Sequence, residues 1–159
     1  MSHLPQSARV VIIGGGTVGA AATRSLVAHG IEVNLVEQDP EVAERMRSIC
    51  QKVVVGDAAD YDLLVESGIM KAPAVLLSTN DDAMNIYLTS YCQHLNGNLR
   101  IVSRVTHARN VESIHRAGAD FVLSYDSLGI TALRSILKGR DLIVMGEGID
   151  VFTTHLPDH

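Results

Sequence analysis

Short apolar runs rich in valine and isoleucine alternate along this chain with segments whose apolar residues recur every three or four positions. Runs of the first kind predict strands buried on both faces, and segments of the second kind predict amphipathic helices. Arg9 to Ile13 is the first run and ends in glycines. Thr17 to His29 carries Val18, Ala21, Ala22, Leu26 and Val27 at helical spacing and stops at Gly30. Ile31 to Glu37 reads as a second strand, and Pro40 opens a helix running to about Ser48. Lys52 to Val55 is a third strand, closed by Gly56 and Asp57. Asp60 can cap a short helix that ends at Gly68. Ala74 to Ser78 is a fourth strand, and Asp81 or Asp82 caps a long helix reaching about Leu95 before Asn96-Gly97. Leu99 to Arg104, a helix from about Ala108 to Ala117, and Asp120 to Leu123 complete the rhythm. Six strands alternating with helices predict an α/β, Rossmann-like doubly wound parallel sheet.

The tail departs from that rhythm. Asp126 can cap a further helix, SLGITALRSILKG, whose leucines and isoleucines form a broad apolar face. That face suits either pairing with a second copy or packing on its own sheet. After Gly139 the chain reads as one more strand and an extended end, which predicts a domain cut from a longer protein. The expected organisation is an N-terminal tail at 1–8, a dinucleotide-binding domain at 9–125, and a crossover helix with the start of a truncated subdomain at 126–159.

Composition narrows the function. With 47% apolar residues, 159 residues can bury one core without metals or disulfides. The net charge is −5 and only Lys52, Lys71 and Lys138 are lysines, which argues against nucleic acid as a partner. Cys50 and Cys92 lie far apart in apolar company and read as buried reduced thiols. No apolar run approaches the ~20 residues of a spanning helix.

The candidate chemistry lies in the first glycine turn. Gly14, Gly15, Gly16, Thr17, Val18 and Gly19 fit G-x-G-x-x-G after a buried strand and at the start of a helix. The first glycine permits a tight turn, the second admits phosphates to the backbone, and the third lets helix and sheet pack closely. Unpaired N–H groups at the helix start favour a diphosphate. Glu37, at the end of the next strand, can accept both ribose hydroxyls of an adenosine and would repel a 2′-phosphate.

No catalytic set accompanies this turn. The sequence has no G-x-x-x-x-G-K-[ST] loop, no G-x-S-x-G elbow and no tyrosine with a lysine four residues on. Its seven histidines show no ligand-like pattern with cysteine or carboxylate and read as surface or capping residues. The Asp81-Asp82 pair suits a helix cap, with divalent-ion ligation as the other reading. The expectation is therefore a non-enzyme with no catalytic residues and no metal site.

Several stretches are more specific than the turn: VVIIGGGTVG, VEQD, VVVGDAAD, LLVESGIMKAPAVLLSTNDDAMNIYL, LRIVSRV and AGADFVLS. Through them the chain resembles the nucleotide-binding half of the regulator of potassium conductance (RCK) family, also called TrkA-N or KTN. The resemblance implies that Gly14 to Gly19 cradle phosphates, Glu37 holds ribose and Gln38 lies beside the ribose or base. It places Asp57 and Ala58 at the adenine edge, Thr79, Asn80 and Asp81 at the centre of the cleft, and Arg104 against the phosphates or the far ribose. Family members that sense ATP often carry arginine directly after the second glycine, where this chain has Thr17. NAD(H) is thus the first choice of ligand, with ADP, AMP or ATP as alternatives.

The resemblance further implies a cytoplasmic regulatory domain at the inner face of the cell membrane. It would pair as a homodimer or higher ring beneath a potassium channel or transporter subunit or membrane domain, and couple its ligand to gating. Two other readings stand beside it: a cofactor-binding fragment of an NAD-dependent oxidoreductase, and an interaction module holding a structural nucleotide.

Overall fold

A computed structural model describes residues 9–123 and 151–153 of the chain. Six parallel strands run in chain order: β1 (Arg9–Ile13), β2 (Glu32–Glu37), β3 (Lys52–Val55), β4 (Ala74–Leu77), β5 (Arg100–Arg104) and β6 (Phe121–Leu123). Between them lie α1 (Thr17–Ala28), α2 (Pro40–Met46), α3 (Tyr61–Ser67), α4 (Asp82–Leu95) and α5 (Val111–Ala117). The expected single helix from Ala108 instead begins as a 3₁₀ turn, Ala108–Asn110, before α5. A seventh strand, β7 (Val151–Thr153), pairs antiparallel with β6, so the added C-terminal strand lies on the β6 edge. The expected helix after Asp126 lies outside the described residues.

The sheet order is β3-β2-β1-β4-β5-β6-β7. The chain winds outward from β1 to β3, returns to place β4 beside β1, and winds the other way. That reversal opens a crevice beyond the carboxyl ends of β1 and β4, the usual ligand position in open α/β sheets.

Burial explains why β1 and β4 are central. Val10 to Ile13 and Ala74 to Leu77 are all at most 2% exposed. Alternate residues face opposite layers. Val10, Ile12, Val33 and Leu35 pack with Leu26 of α1 and Met46 of α2. Val11, Ile13, Val75 and Leu77 pack with Leu64 of α3, Leu88 of α4 and Ile114 of α5. Each such aliphatic side chain, fully buried, contributes about 1.5–3 kcal/mol.

One contact sets how closely α1 meets β1. A Cβ built on Gly19 would lie 1.8 Å from the Gly14 carbonyl oxygen and 2.7 Å from Ser78 Oγ. Glycine within a helix is normally about 1 kcal/mol worse than alanine. Here the clash reverses the sign, since the Gly14 carbonyl is backbone and cannot move aside. Gly19→Ala should therefore destabilise the fold by about 3 kcal/mol or more in urea unfolding. A neutral or stabilising effect would show that the strand and helix are not held this close.

Candidate functional site

The crevice is a cleft of about 600 Å³ above the ends of the parallel strands. Gly14 opens its floor with φ +103, a left-handed conformation that a Cβ disfavours. Its N–H donates to the Val36 carbonyl at 2.9 Å, tying the turn to β2. Ser78, at the end of β4, ties it from the other side: its hydroxyl lies 3.0 Å from the Ile13 carbonyl oxygen and 2.8 Å from that of Gly14. The buried hydroxyl shares its single proton between the Ile13 carbonyl, which also accepts the Ser78 N–H at 2.9 Å, and the Gly14 carbonyl.

The three motif glycines differ in surroundings, as their predicted roles require. Gly14 supplies the turn and Gly19 the close packing. A Cβ on Gly16 would meet nothing within 4 Å, so the backbone there faces open space in the cleft. The intervening Gly15 has a part that sequence reasoning gave it no reason to have. Its N–H donates to Glu37 Oε1 at 2.5 Å, and a Cβ on it would press on Leu35 and Val42 at 3.1 Å.

Helix α1 begins without the protection its neighbours have. Asp39, Asp60 and Asp81 each accept a backbone N–H in the first turn of α2, α3 and α4. The cap position of α1 is Gly16, with no side-chain cap and no acidic residue in the first turn. The first N–H groups of α1 therefore have no intrahelical partner and carry the positive end of its dipole into the cleft.

Glu37 stands opposite. Oε1 accepts from Gly15 and Oε2 from the Asp39 N–H at 2.7 Å. A carboxylate has about four lone-pair sites. Two are used by the backbone, so each oxygen keeps one for a ligand. The carboxylate is fixed in place and still able to accept a pair of hydroxyls.

The remaining predicted residues divide clearly. Gly14, Gly16, Thr17, Glu37, Gln38, Asp57, Ala58, Thr79, Asn80, Asp81 and Arg104 line the cleft. Gly15, Val18 and Gly19 lie behind it, with Val18 buried in the core. Asp57 Oδ1 accepts from the Ala59 N–H at 2.9 Å and shapes the turn after β3. Asp81 lines the cleft and caps α4 through the Met84 N–H at 3.1 Å. Arg104 directs Nη1 toward the Ser78 carbonyl at 3.4 Å and is the cleft's one cationic side chain among the described residues.

Asp82 does something other than capping. Its buried carboxylate accepts from the Thr106 N–H (2.8 Å), the Thr106 hydroxyl (3.0 Å), the His107 N–H (3.0 Å) and Asn110 Nδ2 (2.7 Å). It therefore folds the segment after β5 against α4. Desolvation alone would raise this carboxyl, but the bonds from Asn110, Thr106 and His107 outweigh it and hold it below 3.8, its ordinary value. Asn85 was also overlooked: it joins Thr79 to Arg104 from beneath the cleft. Both residues belong to the TNDDxxN stretch, but only the folded structure shows where their side chains go.

Other chemistry is sparse. Burial pushes the Cys50 thiol up to about 11 and that of Cys92 to about 12, so neither supplies a thiolate at neutral pH. His29 caps the end of α1, its Nδ1 lying 2.8 Å from the Ser25 carbonyl oxygen. Among the described residues no group of three or more His, Cys, Asp or Glu side chains is placed to hold a metal ion. Nor is any helix among them long and apolar enough to cross a membrane.

A doubly wound sheet with an open glycine turn and a fixed strand-end carboxylate defines the dinucleotide-binding class of α/β domain. A family model for the TrkA-N domain matches residues 10–125, and the chain belongs to that family. The glutathione-regulated potassium-efflux system protein KefC of Cronobacter sakazakii is 32% identical over 110 residues, 69% of this chain and 18% of its own length. A Trk system potassium uptake protein TrkA homolog of Archaeoglobus fulgidus is 27% identical over 145 residues, 90% of this chain and 33% of its own length. The chain thus spans about a fifth to a third of the curated relatives it matches. Among solved structures, the GsuK channel bound to NAD is 35% identical with a TM-score of 0.66, over 85% of this chain and 24% of that one. GsuK bound to ADP is likewise 35% identical, with a TM-score of 0.65, over 84% of this chain and 35% of that one.

The Asp82 network gives a pH-dependent prediction. Asp82→Asn should cost about 2 kcal/mol at pH 7, because an amide cannot accept all four donors. A carboxylate with a lowered pKa stabilises above its ordinary range, and that contribution is lost as pH falls through the lowered value. The stability gap between wild type and variant should therefore narrow below pH ~4. Asp120, pushed up by burial, is common to both proteins and cancels. Urea unfolding at pH 7 and pH 3 checks this, and a gap independent of pH would contradict it.

Proposed function

We propose that this chain is a ligand-sensing regulatory domain of a potassium channel or transporter, and that its ligand is NAD(H) or another adenine nucleotide. The observation that carries the reading is the pairing of two features across one cleft. The bare start of α1 over Gly16 suits a diphosphate, and the doubly anchored Glu37 suits a ribose diol. The two groups are joined in adenosine diphosphate, the part that NAD and ADP share. The names of the potassium proteins and of the NAD- and ADP-bound GsuK structures support the same reading.

In this reading Gln38, Asp57 and Ala58 border the adenosine, and Thr79, Asn80, Asp81 and Arg104 receive the other half of the ligand. Four carboxylates line the cleft, from Glu37, Asp39, Asp57 and Asp81, against the one arginine. That balance disfavours extra phosphate charge and favours NAD over ATP. The domain is a cytosolic sensor without turnover, built from residues 9–125 with 126–159 leading toward a second subdomain. It pairs with further copies beneath a membrane partner. Nucleotide could gate that partner only by binding one arrangement of the copies better than another.

Calorimetric titration with NAD⁺, NADH, ADP and ATP tests the reading. Gly16→Val should cost only about 1 kcal/mol of stability, the loss of a better helix cap, since its side chain enters open space, yet fill the phosphate position and weaken NAD at least about tenfold. Glu37→Ala should weaken NAD by about ten- to a hundredfold. Wild-type affinity in both variants would remove the proposed pocket.

A further inference from the structure

Asn85 is fully buried one turn into α4, just behind the cleft wall. A buried amide needs partners for both its ends. Its Oδ1 accepts the Thr79 hydroxyl at 2.7 Å. Its Nδ2 donates to two carbonyls, those of Thr79 and Arg104, each at 3.0 Å. These bonds join the loop after β4 to the last residue of β5. The strand ladder no longer joins them at this point, since the β4–β5 register runs only from Ala74 opposite Arg100 to Leu77 opposite Ser103, and the other link is the long contact from Arg104 Nη1 to the Ser78 carbonyl at 3.4 Å. Beyond Leu77 the strands diverge, and Asn85 spans the gap.

Thr79 and Arg104 both line the cleft on the side away from Glu37. The Thr79 hydroxyl gives its proton to Asn85 and accepts the Asp81 N–H at 3.3 Å, which leaves it one lone pair to act as an acceptor toward a ligand. Arg104 starts from a backbone whose carbonyl is pinned. One buried side chain thus sets the spacing and hydrogen-bonding sense of both groups.

We propose that Asn85 is a positioning residue: through Thr79 and Arg104 it shapes the half of the cleft beyond the diphosphate, and so determines how well a two-nucleoside ligand is held relative to a mononucleotide. This rests on the nucleotide-binding reading above. AMP would engage chiefly Gly16 and Glu37, which Asn85 does not touch. NAD would reach both regions.

The test measures the affinity of the 159-residue chain for NAD and for AMP by calorimetry, with Asn85→Leu placed in wild type and in an Arg104→Ala background. The expected result is a loss of at least tenfold for NAD with AMP within twofold, and a clearly smaller loss for NAD once Arg104 is gone, the remainder passing through Thr79. If Asn85→Leu does not fold, Asn85→Asp serves in its place. It keeps the shape and the acceptor for Thr79 and retains at most one of the two donations. A parallel loss for NAD and AMP, or full additivity with Arg104→Ala, would show a merely structural amide and overturn the proposal while leaving nucleotide binding intact. If the unmutated chain binds neither compound, the nucleotide reading itself fails and takes this proposal with it.

Discussion

The cleft depends on α1 starting directly against the end of β1. That is only feasible because two side chains are missing where they would collide. Gly14 turns with φ +103, and Gly19 brings its Cα over the Gly14 carbonyl at a distance no Cβ would permit. The approach aims the unpaired N–H groups of α1 across the sheet ends rather than away from them. It also leaves the Gly14 carbonyl in need of a donor, which Ser78 supplies from β4. The glycine turn, the strand next to it and the helix above it therefore form one constrained unit.

Around that unit the site is built by backbone donors rather than by charge pairing. Glu37 is held by the N–H groups of Gly15 and Asp39, not by a lysine or arginine. A carboxylate held this way keeps half of its accepting capacity. Such a group is selective: it rewards a diol and repels a phosphate at the same position. On the opposite side, α4 plays a comparable part for the segment leaving β5. Asp82 gathers the donors of Thr106, His107 and Asn110, and Asn85 fixes the carbonyl of Arg104. One turn of one helix thus sets both the arginine and the loop that follows it.

Much of this was legible in the residues. Buried parallel strands leave nearly continuous apolar runs, so β1, β2 and β4 announced themselves, and the strand–glycine–helix order located the turn. That Gly14, Gly16 and Glu37 meet at one cleft followed from the motif and its place between strand and helix. What was not legible were the effects of side-chain direction. Asp81 and Asp82 are adjacent and identical, yet the first caps α4 and the second reaches the β5–α5 segment. Asn85 carries no signal of its partners in the sequence, because they are 6 and 19 residues away. The break between the 3₁₀ turn and α5 at Asn110 was equally hidden. It follows from Asn110 donating its side chain to Asp82.

The most direct test is a crystal structure of the chain grown with millimolar NAD. The account predicts a diphosphate seated over the Gly16 backbone, with both hydroxyls of one ribose on the Glu37 carboxylate and the second nucleoside extending toward Thr79 and Arg104. A cleft left vacant, or a nucleotide bound away from the start of α1, would contradict it.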